Sequence, residues 1–265
     1  MPFVRAGGLT VHYDLTAPEG APTVLFSNSL GTNLHVWDPV MPALAGRYRI
    51  LRYDMRGHGM TDAPPAGAGY SIDVLAGDAL ALLDALGIGR VHVCGLSIGG
   101  MVAQKLGVTA PDRVASLILC DTANRIGPPS NWDARVAAIR ANGIESIADA
   151  VMERWFTPRF RADRPEIVQG AVNMMTRTPV EGYIGCALAV RDADLAADDA
   201  RIACPTLVLA GDQDLATPPD LVEATARAIP GASFALIPSA SHIPCMEQPD
   251  ALARQIRGFL DGIAA

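Results

Sequence analysis

The feature that most constrains this chain is Gly95-Leu96-Ser97-Ile98-Gly99-Gly100. Val91-His92-Val93-Cys94 before it reads as a buried strand, and Met101-Val102-Ala103-Gln104 after it continues as a helix. Glycine-x-serine-x-glycine between a strand and a helix implies a sharp turn that lifts the serine hydroxyl clear of the backbone. The flanking glycines let that turn press on its neighbours without a side chain in the way. At the start of the helix the Ile98 N–H has no intrahelical acceptor, so it is free to donate to a developing oxyanion. Ser97 is therefore the candidate nucleophile; the bland alternative is an ordinary strand-to-helix turn.

The rest of the chain is arranged around that turn. Residues 2–16 read as two short strands about Gly7-Gly8. Thr23–Phe26 and Arg49–Asp54 are further strands, with a helix expected over Val36–Ala45 between them. Ser71 caps an amphipathic helix to about Leu86, with Asp73 and Asp78 expected on its polar side. Val114–Cys120 is the next strand. The rhythm then stops until Thr206–Ala210, a gap far longer than the roughly 30 residues of one strand-helix-strand unit. Helical patterns fill the gap at about 131–142, 144–155, 164–175 and 179–190. A helix near 218–229, a strand over Ser233–Ile237 and a helix over Pro249–Leu260 close the chain. The alternation predicts an α/β fold with a mostly parallel central sheet and helices on both faces. Residues 1–123 and 196–265 are expected to form the core. Residues 124–195 would form a helical cap over the carboxyl ends of the strands, where ligands of such sheets bind.

Composition narrows the function classes. The net charge is −7, from 28 acidic and 21 basic residues with Lys105 the single lysine, which argues against a nucleic-acid partner. The five cysteines, Cys94, Cys120, Cys186, Cys204 and Cys245, are scattered without a C-x-x-C pair. Buried free thiols in a reducing compartment are expected, rather than a metal site or a disulfide framework. No apolar run approaches a membrane span, and the N-terminus lacks the pattern of a secretion signal. The expectation is a cytoplasmic protein with no membrane partner.

A serine hydroxyl needs a base, and the base needs an orienting acid. Of five histidines, His12 and His92 lie inside expected strands, His35 begins a helix, and His58 sits in a glycine-rich loop that suggests a turn-stabilising role. His242, just past the last strand, is the candidate base. The order serine, acid, histidine places the acid in a strand-end loop before it. Asp214 is preferred there, with Asp212 and Asp121 as alternatives. A second oxyanion donor is expected in the loop after Thr23–Phe26, and Leu30 N–H in Asn28-Ser29-Leu30-Gly31 is the candidate.

Together these motifs resemble the α/β-hydrolase superfamily over essentially the whole chain. The segments DMRGHGMTDAP (54–64), GLSIGGMVAQ (95–104), CDTANRIG (120–127), GDQDLATPP (211–219) and SHIPCMEQP (241–249), with Asn-Ser-Leu-Gly in place of the usual His-Gly oxyanion loop, are similar to the 3-oxoadipate enol-lactonases. The resemblance implies attack by Ser97 on a small lactone that carries a carboxylate, without metal or cofactor. Arg191, Arg135, Arg125 and Arg154 are candidates to hold that carboxylate, and Trp132 to lie nearest the ligand. A general carboxylesterase, a cofactor-free haloperoxidase and a non-catalytic small-ligand receptor are the competing readings. Oligomeric state is not legible.

Overall fold

Eight strands form one sheet in the order β1-β2-β4-β3-β5-β6-β7-β8. They are β1 (Phe3–Ala6), β2 (Leu9–Thr16), β3 (Thr23–Ser27), β4 (Arg49–Tyr53), β5 (Val91–Leu96), β6 (Val114–Cys120), β7 (Thr206–Gly211) and β8 (Ser233–Ile237). The computed structural model describes residues 2–263 apart from residues 17, 19 and 68. β1 and β2 enter antiparallel, and every pairing from β4 to β8 is parallel. β3 and β7 are buried at every residue, as befits parallel strands covered on both faces.

The helices between strands follow from local sequence. Asn33 opens a 3-10 turn over Leu34–Val40, and α1 (Met41–Leu44) follows. The single helix expected over 36–45 is divided because Pro39 and Pro42 remove two backbone donors from the ladder. α2 (Ile72–Ala85) starts where Ser71 Oγ accepts from Val74 N at 3.1 Å. Asp78 departs from expectation: it is buried, not solvated, because Arg56 donates to both its carboxylate oxygens at 2.6 and 2.7 Å. α3 (Ile98–Thr109) leaves the Ser97 turn directly.

Between β6 and β7 run α4 (Pro129–Asn142), α5 (Ala148–Trp155), α6 (Pro158–Asp163), α7 (Pro165–Thr176) and α8 (Val180–Asp192). The pattern expected over 144–155 is a 3-10 turn, Ile144–Ile147, joined to α5. The short α6, capped by Thr157, was not expected from the sequence. α9 (Ala196–Asp199), α10 (Pro219–Ala228), α11 (Pro244–Glu247) and α12 (Pro249–Ile263) complete the chain. Among the described residues no helix is long and apolar enough to cross a membrane.

The inserted helices sit on the core through bare backbone. A Cβ on Gly182 of α8 would lie 2.1 Å from Gly57 O, and one on Gly185 would lie 2.4 Å from the Tyr70 ring. Glycine at both positions lets α8 rest on the loop after β4.

Candidate active site

Ser97 stands at φ +58°, ψ −119°, a left-handed conformation that a non-glycine residue occupies only under constraint. Its N–H donates to Cys120 O at 3.0 Å and its carbonyl accepts from Thr122 Oγ1 at 2.7 Å, so β6 holds the turn on both sides. The glycines are needed for contact. A Cβ on Gly95 would meet Gly99 O at 2.2 Å, and one on Gly99 would meet Ser27 O at 2.2 Å.

The loops after β7 and β8 bring Asp214 and His242 together. His242 Nδ1–H donates to Asp214 Oδ2 at 2.8 Å, with both side chains buried. Asp214 Oδ2 also accepts from Thr217 Oγ1 at 2.6 Å, and Oδ1 from the N–H groups of Ala216 and Thr217 at 2.7 and 3.1 Å. Burial alone would raise the Asp214 carboxyl, but the His242 ring and these donors outweigh it and hold it below the ordinary carboxylate range. Asp212 is engaged elsewhere, accepting from Ala240 N at 3.2 Å. Asp121 is buried one strand away and, among the described residues, accepts nothing from His242; its Oδ1 accepts from Gly211 N at 2.7 Å.

Ser97 and His242 line one cavity of about 160 Å³, with Ser29 and Leu30 on its wall. No hydrogen bond joins Ser97 to His242 among the described residues; a nucleophile–base hydrogen bond of this kind commonly tightens only once substrate is in place. Neither Leu30 N nor Ile98 N has an acceptor among the described residues. Leu30 lines the cavity with Ser97 and Ile98 follows Ser97 in the chain, so two unengaged amides flank the serine turn.

The loop carrying Leu30 is held by residues of the DMRGHGMTD segment. His58 is fully buried; its Nε2 accepts from Gly31 N at 2.9 Å and its Nδ1–H donates to Arg56 O at 3.2 Å. Burial lowers the His58 pKa, against the smaller opposing effect of the Arg56 carbonyl, so the ring is neutral and its acceptor nitrogen is preserved. Asp54 fastens the other end, accepting from Leu34 N, Met60 N and His12 Nδ1 at 2.8, 2.8 and 2.7 Å. Asn28 bridges Tyr53 O and Trp37 Nε1 at 2.8 and 3.0 Å, a shaping role. The remaining histidines are structural: His92 bonds Ser116 Oγ, and His35 bonds Asp38 at the surface.

The inserted helices supply the opposite wall. Trp132, Arg135, Arg154, Trp155 and Tyr183 all line the cavity. Trp132 Nε1–H donates to Ile126 O at 2.7 Å, which fixes the indole, and the Arg135 guanidinium lies 4.8 Å from the centre of its ring. Arg135 reaches Tyr183 OH at 3.5 Å. Neither Arg135 nor Arg154 has a carboxylate within salt-bridge distance among the described residues. Arg191 does not line the cavity. Its guanidinium turns to Asp133 at 2.8 Å and Asp192 at 2.7 and 2.9 Å, acids the sequence places beside it in space or in the chain. Arg125 is likewise outside, paired with Asp194 at 2.5 Å.

Two elements of the site escaped the sequence reading. Tyr183 gave no signal beyond its flanking glycines. Glu247 of α11 binds the histidine loop to the inserted helices: Oε2 accepts from Ser241 N at 2.8 Å, and Oε1 from Thr157 N at 3.1 Å and from the Thr157 hydroxyl. Ser241 Oγ donates to Arg154 O at 2.9 Å, and Ile243 N donates to Trp155 O at 3.2 Å.

Comparison with known proteins agrees with this architecture. The family model described as the alpha/beta hydrolase fold matches residues 22–249. Two 3-oxoadipate enol-lactonases of Acinetobacter baylyi are 34% and 35% identical, each over 97% of this chain and 95% of the relative. The crystal structure of the enol-lactonase from Burkholderia xenovorans LB400 superposes with a TM-score of 0.94 at 38% identity, over 98% of this chain and all of that one. The match of the family model over most of the chain and the full-length relatives above 30% identity place the chain in the α/β-hydrolase family.

Proposed function

We propose that the protein is a serine hydrolase that opens a small enol-lactone bearing a carboxylate, 3-oxoadipate enol-lactone in the terms of its relatives, in aromatic catabolism in the cytoplasm. The observation that carries the reading is one cavity wall holding Ser97 and His242, opposed by two arginines that have no carboxylate partner among the described residues. Ser97 Oγ attacks the lactone carbonyl as His242 Nε2 takes its proton, and Asp214 steadies the imidazolium. The N–H groups of Leu30 and Ile98 receive the tetrahedral oxyanion. The C–O bond to the ring oxygen breaks as His242 Nε2–H returns its proton to that oxygen, which leaves as an enol still tethered to the acyl group. Its tautomerisation to the ketone suppresses re-closure. Water, deprotonated by His242, then adds to the acyl carbon and releases Ser97 and the second carboxylate.

Residues 124–195 act in this reading as the cap that excludes bulk water. At about 160 Å³ the cavity is smaller than a pocket for drug-sized ligands, which suits a compact lactone over a long-chain ester. Arg135 and Arg154 are the cations positioned to take the carboxylate, with Trp132 stacked beside the first.

The test is a rate comparison on purified protein. Enol-lactone should be opened at least about a hundredfold faster than a neutral aryl ester, and Ser97→Ala should abolish both. Arg135→Ala or Arg154→Ala should raise KM for the lactone by about tenfold or more while leaving the neutral ester within about twofold. Equal rates on lactone and aryl ester would make it a general esterase; binding without turnover would make it a receptor.

A further inference from the structure

The serine turn is braced on both sides by β6, but the loop that carries the Leu30 amide is braced differently. Ser29-Leu30-Gly31-Thr32 is a tight turn. Thr32 N and the Thr32 hydroxyl both donate to Ser29 O, at 3.1 and 2.8 Å, and Gly31 stands at φ +79° in the third position, as in a type II turn. These bonds tie the turn to itself. They set the plane of the Ser29–Leu30 peptide, which is trans, so Leu30 N–H points away from Thr32. They do not fix where the turn sits relative to Ser97. The chain is anchored before it, where Asn28 meets Tyr53 O and Trp37 Nε1, and after it, where Asn33 N meets Met174 Sδ and Leu34 N meets Asp54. Residues 29–32 themselves, among the described contacts, make one hydrogen bond to the rest of the molecule: Gly31 N donates to His58 Nε2 at 2.9 Å.

His58 is a rigid partner. It has no exposed surface, its N–H donates to Met55 O at 2.9 Å, and its carbonyl accepts from Thr61 N at 3.1 Å. Because Gly31 N–H can only donate, Nε2 is bare and the ring proton lies on Nδ1, where Arg56 O accepts it at 3.2 Å. A doubly protonated ring would set N–H against N–H. The charged group that acts on the ring is Asp54, whose oxygens are taken up by Leu34 N, Met60 N and His12 Nδ1. Cys186 Sγ of α8 reaches the same Arg56 carbonyl at 3.7 Å, and burial pushes that thiol up, so it adds no charge. The inserted helices close on the same glycine: a Cβ on Gly31 would lie 3.0 Å from Met175 Cγ of α7 and 3.0 Å from the Tyr183 ring of α8.

We propose that His58 is a positioning residue for turnover: its bare Nε2 fastens the Gly31 amide to the core and so holds the neighbouring Leu30 N–H in place as an oxyanion donor. This rests on the reading of Leu30 as that donor. The oxyanion forms only as Ser97 attacks, so a contact that aims its donor acts on kcat and leaves ground-state binding alone. It acts alike on any ester or lactone, since each passes through the same oxyanion. In this His58 differs from Arg135 and Arg154, which act on the substrate that bears a carboxylate.

The experiment compares His58→Leu, which cannot accept a hydrogen bond, with His58→Gln, whose Oε1 can, on the full chain with the enol-lactone and a neutral aryl ester. His58→Leu should lower kcat about tenfold to a hundredfold on both substrates, with KM within about twofold of wild type. His58→Gln should recover most of that loss. A kcat for His58→Leu equal to wild type, a loss confined to KM or to the lactone, or no recovery in His58→Gln overturns the proposal. Nitrogen-15 correlation spectra of the histidine-labelled wild type give a measure independent of activity. At about pH 7.5 the ring whose signals are missing in His58→Gln should be neutral, with its proton on Nδ1. A proton on Nε2 overturns the proposal, and this measurement stands should His58→Leu not fold. Leu30→Pro separates the proposal from the reading beneath it, because proline suits the second position of such a turn and removes the N–H. Its kcat should fall by about a hundredfold. Wild-type kcat in Leu30→Pro would end the oxyanion assignment and the proposal with it; a slow Leu30→Pro beside a fast His58→Leu would end the part given to His58 alone.

Discussion

Gly182→Ala offers a direct measure of how tightly the inserted helices are seated. The added Cβ would fall 2.1 Å from Gly57 O and 2.4 Å from Gly57 Cα, where ordinary contact begins near 3.4 Å. Both partners are backbone, so no side chain can rotate away, and α8 must lift from the loop after β4 by about 1 Å. Overpacking of this kind costs about 3 kcal/mol at the upper end of its range, and the better helix propensity of alanine returns about 1. The net loss of roughly 2 kcal/mol corresponds to a Tm lower by about 4–8 °C. Tyr183, the next residue, carries the displacement into the cavity, so KM for the lactone should rise by about tenfold. Gly170→Ala in α7 is the matched control: nothing lies within 4 Å of its added Cβ, and φ is not positive. It should gain about 1 kcal/mol and raise Tm by about 2–4 °C. Calorimetry and lactone kinetics on the two variants suffice. A Tm for Gly182→Ala within about 1 °C of wild type, or a drop for Gly170→Ala, would refute the packing argument.

Three further outcomes are expected. Thr217→Val removes the 2.6 Å hydrogen bond to Asp214 Oδ2 and should reduce kcat/KM by about tenfold or more; a change under about twofold would deny Thr217 a part in holding the acid. His58 titrates near 6.5 when unfolded and lower when buried, so below about pH 6.5 the unfolded chain binds the extra proton. Stability should therefore fall as pH drops from that value towards the folded pKa, and His58→Gln, neutral throughout, should flatten the Tm-against-pH slope in that window. Asp199 is the opposite case: its folded pKa of about 6 exceeds the unfolded value, so its stabilising effect is complete below about pH 4 and is lost as pH rises to about 6. Asp199→Asn should then unfold about 1 kcal/mol later than wild type in a urea titration at neutral pH, after allowance for solvent screening; equal or lower stability would contradict the shift.

The parts of this molecule that were readable in the chain are those written in local pattern. The Gly-x-Ser-x-Gly turn announces itself because its glycines meet Gly99 O and Ser27 O at close range, and that demand is sequence-local. Asp214 and His242 sit in loops where alternation of strand and helix ends, so topology alone carries them towards one end of the sheet. What was not readable depends on partners far off in the chain. Asp78 has the spacing of a solvated helix face and is buried only because Arg56, 22 residues earlier, arrives to pair with it. Among the arginines, Arg191 and Arg135 look alike in sequence; Asp133 and Asp192 draw the first away from the cavity, while Trp132 and Tyr183 hold the second in it. Glu247 is an ordinary acidic residue near a proline until Thr157 and Ser241 are seen to meet on its two oxygens.

That last arrangement bears on how such proteins can be rebuilt. Because the Glu247 carboxylate splices the backbone at Ser241, beside His242, to the backbone at Thr157, the histidine loop and the inserted helices share a hinge pin. A chimera that imports foreign helices into 124–195 to acquire a new specificity must bring a donor matched to Glu247. One that neglects it will lose rate even on substrates that its new walls fit.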